Sequence, residues 1–316
     1  MFADKTFTIL DWLLETPGKG DQMNTRNVFL RKMAKLYLSE VSAEHARRFP
    51  QLACFAFDTI TVSLHLDGQY ERYELEALEN WIFPRMDQSG QAIDVGANIG
   101  NHSLFFARHF PSVVSLEPHP RTFQLLACNA GLVENVTALN VGASNGDAVV
   151  TVAQDLLNLG ATSVRPSDRV VGLGSKAVTL KLVSIDTLPE ITTKRVSFIK
   201  LDIEGHEEAA LRGAEETLRR DMPVVAMEVL PEDIKDGSTP SIEWLRSLGY
   251  TSFVASRPAA RIARLPRRTF KRLKALLSLL GRAPSERRDF VAVEFPLQPD
   301  ARYSLLVCSR DPLVDR

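Results

Sequence analysis

Residues 92–100 read AIDVGANIG, a short apolar run that ends in two glycines four positions apart. Ile93 and Val95 bring the β-branched side chains of a buried strand, Gly96 and Gly100 bracket a turn, and His102 to Arg108 resume a helical pattern. Strand, glycine turn and helix in that order point backbone N–H groups at the mouth of a parallel sheet. A Cβ at Gly96 or Gly100 would occupy space that a nucleotide-like ligand needs. Asp94 stands near the carboxyl end of the strand. Asn98 sits in the middle of the turn, where its tolerance of positive φ suits it.

The next strand, Val113 to Leu116, ends on Glu117, 17 positions after Gly100. A carboxylate at the tip of the second strand of a doubly wound sheet is placed to meet ribose hydroxyls. The turn pattern D-x-G-x-N-x-G departs from the G-x-G-x-x-G of dinucleotide sites. It is the variant seen in S-adenosylmethionine binding, where the first acidic residue serves the methionine half. The candidate cofactor-binding set is therefore Asp94, Gly96, Asn98, Gly100 and Glu117, joined by Asp202 from a later strand.

Beyond the turn, strands are predicted near 92–95, 113–117, 136–142, 196–202 and 223–229, alternating with helices. That alternation implies a parallel sheet covered on both faces. Between Gly146 and Val196 two β-like pieces, Ala148–Ala153 and Ala177–Ile185, flank a loop placed to lie over the ligand edge. Thr251–Ala255, Phe290–Phe295 and Tyr303–Cys308 complete an antiparallel edge. Upstream, Asn24 to Phe49 reads as a helix with Leu30, Met33, Tyr37 and Val41 on one stripe. Phe55 to Leu66 reads as β-rich, and a helix is expected from about Glu71 to Phe83. The expected organisation is an N-terminal helical accessory region (1–54), a core (55–256), a basic insertion (257–288) and the last core strands (289–316).

Five acidic residues fall at strand ends or just past them: Asp94, Glu117, Asp202, Glu204 and Glu228. In a parallel sheet they share one rim. The segment FIKLDIEGHE, 198–207, puts Lys200, Asp202, Glu204 and His206 at alternate positions, a density of charge that a strand carries only when each ion is paired or bound to something. One reading is a ligand site, with Asp202, Glu204 and His206 as candidate catalytic residues. The other is a structural Lys200–Asp202 or Lys200–Glu204 ion pair with His206 exposed at a helix start.

With 45% hydrophobic and 24% charged residues the chain has the balance of an ordinary soluble globular protein. Asp4, Asp11 and Glu15 interrupt the apolar pattern at the N-terminus, so no secretory signal is expected. Cys54, Cys128 and Cys308 lack metal spacing and are expected as reduced thiols in a cytoplasmic protein. Between Arg257 and Arg288 eleven basic residues face one acidic residue, although the whole chain carries a net charge of −1. Within it, Arg267 to Leu280 has the pattern of an amphipathic helix, and residues 264–281 are candidates for contact with a membrane surface or an anionic acceptor. An acidic body with one basic segment does not suggest nucleic-acid binding.

Taken together, IDVGANIG (93–100), EPHPRTFQLLACN (117–129), SIDTL (184–188), IKLDIEGHE (199–207), LRGA (211–214) and the strand ending in Glu228 resemble the FkbM-type family of S-adenosylmethionine-dependent methyltransferases. The resemblance covers roughly Phe55 to Tyr250. It implies a class I methyltransferase fold, Rossmann-like and doubly wound, with S-adenosyl-L-methionine as cofactor. It also implies O-methylation of a hydroxyl on a sugar, glycan or secondary-metabolite acceptor. Two other readings are a NAD(P)-dependent Rossmann oxidoreductase, which should carry a further glycine near Asn98, and a non-catalytic glycan- or membrane-surface module, which leaves the acidic rim unexplained. No metal ligand set is legible, although an acidic rim can hold a divalent ion in some methyltransferases of this fold.

Overall fold

A computed structural model describes residues 22–154, 176–203, 205–258 and 287–313. The chain enters through α1 (Gln22–Arg48), as the periodicity predicts. Its apolar stripe is left largely in solvent, with Met33 and Tyr37 each about half exposed. A short helix, α2 (Thr59–Asp67), follows where the β-branched run suggests a strand. The caps explain the difference. Asp58 accepts the Ile60 N–H at 2.9 Å at one end, and Gly68 closes the other in a left-handed conformation, φ 79°. Paired caps fix the helix over the strand propensity of Thr59, Ile60, Thr61 and Val62. Next comes α3 (Arg72–Ala77), which runs on through a π turn and a 3₁₀ turn to Arg85.

The core is built from β1 (Gln91–Val95), α4 (Asn101–Phe106), β2 (Val113–Leu116), α5 (Pro120–Ala130) and β3 (Val136–Leu139). It continues through β4 (Gly142–Ala143), β5 (Ala148–Gln154), β6 (Lys176–Val183), α6 (Pro189–Thr192) and β7 (Val196–Leu201). The last elements are α7 (Glu207–Arg212), α8 (Glu215–Asp221), β8 (Val224–Val229), α9 (Pro240–Ser247), β9 (Ser252–Pro258), β10 (Arg288–Ala292) and β11 (Tyr303–Ser309). Eight strands form one twisted sheet in the order β10-β9-β11-β8-β7-β1-β2-β3. The five strands from β8 to β3 are parallel, and β11, β9 and β10 add an antiparallel edge. This is the doubly wound, mostly parallel sheet of a class I methyltransferase. The two β-like pieces of the insertion pair with each other and with β4 in a separate three-stranded sheet. The loop between them lies outside the described residues.

Strand alternation divides the core into two layers. Ile93, Val95, Ile199 and Leu201 face α7 to α9. Ala92, Phe198 and Ala226 face α3 and α4, where Phe83 is ringed by Phe105, Phe106, Phe110 and Phe198. Asp94 pairs in register with Lys200, so two charged residues share the face that carries Ala92 and Phe198 lower down. The N-terminal region is tied to this core by two asparagines. Asn129 donates to Ala53 O and Ile99 O and accepts from Ala53 N–H, while Asn101 exchanges a pair of bonds with the backbone of Tyr70. Arg288 of β10 adds an ion pair to Glu74 of α3 at 2.9 Å.

The basic insertion is described only at its margins, where β9 extends through Pro258 and β10 starts at Arg288. The amphipathic pattern at 267–280 lies outside the described residues. Among the described residues no helix is long and apolar enough to cross a membrane.

Candidate active site

The strand order reverses between β1 and β7, and the carboxyl ends of those strands frame the crevice where doubly wound sheets bind ligands. Its floor is the turn after β1. Gly96, Asn98 and Gly100 all have positive φ, at 79°, 51° and 90°. The N–H groups of Gly96 and Ala97 both reach Leu116 O at 3.0 Å, folding the turn across the tip of β2. Gly96 is required by the chain's own packing: a Cβ there would run into the Asp202 carbonyl and the Ile203 side chain. Asp202 N–H in turn donates to Val95 O at 3.0 Å, so the β1 turn and the β7 tip are fitted backbone to backbone. A Cβ on Gly100 would come within 2.9 Å of Leu126 on α5.

Glu117 lies across the turn from β1, nearly buried, and binds it directly. One carboxylate oxygen accepts the Asn98 N–H at 3.0 Å and the other the His119 N–H at 2.8 Å. Burial pushes its pKa up to about 7, against the pull of these two amides. Asp94 is placed differently from the rest of the candidate cofactor set. It is fully buried beneath the rim, where one oxygen accepts the Ser103 hydroxyl at 2.6 Å.

On the other side of the crevice the Lys200–Asp202 ion pair forms, Nζ to Oδ2 at 2.9 Å. Burial alone would weaken both charges, yet each partner's charge reverses the effect. Lys200 is held above the usual lysine range and Asp202 below the usual carboxylate range. Asp202 is joined by two residues that the rim pattern does not reveal, Glu71 and His102. His102 Nε2 lies 3.3 Å from Glu71 Oε2, and the ligand atoms of Glu71, His102 and Asp202 all fall within 4.8 Å of one another. Glu71 takes a left-handed conformation, φ 53°, as α3 begins. Burial pushes the Tyr70 hydroxyl up, helped by the Glu71 charge beside it.

Glu228 caps the same wall, its carboxylate held by Arg302 at 2.7 Å. His206 is engaged elsewhere: its Nε2 lies 3.0 Å from the Ser144 hydroxyl, and burial lowers its pKa. Glu204 lies outside the described residues. Cys308 is fully buried, and burial raises its thiol far above the reactive range.

His102 follows Gly100 by two positions, so its place in the first turn of α4 is a signal the sequence does carry. Glu71 carries none, since only the packing of α3 beside α4 brings it to the rim.

Three similar proteins and one family model relate the chain to methyltransferases. A curated relative, Methyltransferase 1 of Beauveria bassiana (strain ARSEF 2860), is 30% identical over 146 residues, covering 39% of this chain and 58% of the relative. The chain thus spans little more than half the length of that relative. The methyltransferase FkbM of Methylobacillus flagellatus KT superposes with a TM-score of 0.40 at 17% identity, over 84% of this chain and 57% of that one. The precorrin-6y C5,15-methyltransferase of Geobacter metallireducens GS-15 gives 0.37 at 16% identity, over 75% and 84%. The model of the methyltransferase FkbM domain matches residues 94–252, from Asp94 in β1 to the first residue of β9 and half of the sequence. On that match the chain belongs to the FkbM methyltransferase family.

Proposed function

We propose that this protein transfers a methyl group from S-adenosylmethionine to a hydroxyl of a sugar, glycan or secondary-metabolite acceptor. The observation that carries the reading is Glu117: a buried carboxylate at the tip of β2, hydrogen-bonded to the N–H of Asn98 in the β1 turn. Each carboxylate oxygen has a second lone pair, so Glu117 can keep its amide partners and still accept a ribose hydroxyl. Gly96, Asn98 and Gly100 shape the turn on which the cofactor rests. Asp94 acts from below, bracing Ser103 in the first turn of α4.

Methyl transfer is an in-line displacement. The acceptor oxygen forms a bond to the methyl carbon while the carbon–sulfur bond breaks, and sulfur keeps the electron pair to become a neutral thioether. Alignment supplies most of the acceleration. The protonated ether that forms is a strong acid, so a weak base suffices, and Asp202, kept ionised by Lys200, takes the proton. The same carboxylate favours the sulfonium charge before transfer. From their positions in the sequence Glu204 and His206 are the further candidates for accepting the proton, His206 being bonded to the Ser144 hydroxyl. Outside the described residues, the basic insertion is suited to an anionic acceptor or an anionic membrane surface.

Calorimetry with S-adenosylmethionine and, separately, NAD tests the donor. Binding of the first at micromolar affinity with none of the second is expected, and the reverse overturns the reading. Incubation of labelled S-adenosylmethionine with glycan and lipid-linked sugar extracts tests the acceptor. Label recovered on nitrogen or carbon in place of oxygen would refute O-methylation.

A further inference from the structure

We infer that Glu71, His102 and Asp202 form a binding site for one divalent transition-metal ion. Three features point to it. The three ligand atoms come from separate elements, the start of α3, the first turn of α4 and the tip of β7, and converge within 4.8 Å. The 3.3 Å between His102 Nε2 and Glu71 Oε2 is close to the spacing of adjacent ligands around an ion with bonds of roughly 2.1 Å. His102 is 6% exposed, and its Nε2 has no hydrogen-bond partner of good geometry although it points at two carboxylates. Its nearest polar atom is the Glu71 Oε2 already described, and an ion between the two would bind both.

The space and the charge agree with this assignment. Glu71, His102, Lys200, Asp202 and Glu228 line a cavity of about 30 Å³, room for an ion and a water. Glu228 and Glu74 have their own arginines, Arg302 and Arg288. Asp94, Glu71 and Asp202 are left against the single ammonium of Lys200, which holds one oxygen of Asp202 and leaves the other free to ligate. One imidazole and two carboxylates suit Mn²⁺, Fe²⁺ or Zn²⁺ better than Mg²⁺, and three protein ligands leave positions open.

The use of such an ion rests on the proposed function. An acceptor hydroxyl in an open position would become more acidic; with the ion bound, Asp202 would be its ligand in place of the base role given above, and the proton would pass to solvent water.

The test uses the full-length protein stripped with EDTA and titrated with MnCl₂ alone, free Mn²⁺ being followed by electron paramagnetic resonance. One saturable site per chain is expected. His102→Ala and Asp202→Asn should each weaken it by roughly 10–100-fold or more, while Glu134→Gln leaves it unchanged. Absence of saturable binding, or equal binding by His102→Ala, overturns the site. Should those variants fail to fold, electron spin-echo modulation of the Mn²⁺-loaded wild-type protein decides: a coupled ¹⁴N is expected, and an ion with no nitrogen ligand overturns the assignment. S-adenosylmethionine binding measured on the same stripped protein keeps the two readings apart, since its loss refutes the cofactor and its persistence without Mn²⁺ binding refutes only the metal.

Discussion

Glu117→Gln tests the cofactor rim through stability alone, with no acceptor required. Burial raises the Glu117 pKa from 4.5 to about 7 in the folded state. The folded protein therefore holds a proton that the unfolded chain has released between these values. Stability contributed at this residue is present below about pH 4.5, declines as pH rises towards 7, and stays lost above it. A shift of roughly 2.5 units at about 1.36 kcal/mol each amounts to about 3 kcal/mol. Glutamine cannot ionise, so it removes that slope. It also turns one NH₂ towards the Asn98 or His119 N–H, a pH-independent cost of about 1–3 kcal/mol. The difference in melting temperature between variant and wild type should thus move in favour of the variant by about 6 °C from pH 5 to pH 8. The same variant should bind S-adenosylmethionine at least about tenfold more weakly, having lost a charge-assisted bond to the ribose. Differential scanning fluorimetry across pH reads the first effect and calorimetry the second. A melting difference that does not change with pH would refute the burial argument, and unchanged affinity would remove Glu117 from the cofactor site.

Gly96→Ala should destabilise the fold by about 2 kcal/mol or more, because its Cβ meets the Asp202 carbonyl at a positive φ, whereas Asn98→Gly should cost less than about 1 kcal/mol. Equal urea midpoints for the two would show the turn to be misread. Lys200→Met leaves Asp94, Asp202 and Glu71 without their ammonium and should lower stability by about 3 kcal/mol near neutral pH. The deficit should shrink in acid as the carboxylates protonate, and a constant deficit from pH 4 to pH 8 would count against the charge balance drawn here. Asn129→Ala removes three hydrogen bonds to Ala53 and Ile99, about 3 kcal/mol in sum. Limited proteolysis should then cut first near residues 47–54, and an unchanged digestion pattern would show that the clamp is not what holds α1 and α2.

The parallel half of the fold is readable because each of its strands is an apolar, β-branched run closed by an acidic or turn residue, and no tertiary partner alters that preference. The Lys200–Asp202 pair is readable for a similar reason, since residues two apart at the end of a strand share a face. The segment 55–66 misleads because Thr59 to Val62 favours a strand while Asp58 and Gly68, at its margins, fix a helix. Glu71 and His102, 31 positions apart, become neighbours only through packing, and no spacing rule reaches that far. The glycine turn is read in the right place for an incomplete reason, since the space beyond Gly96 belongs first to the backbone of Asp202.

The two asparagine clamps separate what the molecule must keep from what it can change. The segment matched by the family model begins at Asp94, yet Tyr70 and Glu71 stand on the rim from outside it, attached through the backbone of Tyr70 and the side chain of Asn101. A main-chain clamp does not depend on which side chains its segment displays. The wall formed by Tyr70 and Glu71 is thus attached independently of its own side chains, and the segment before β1 can change while the β1 turn and its contact with Glu117 stay the same.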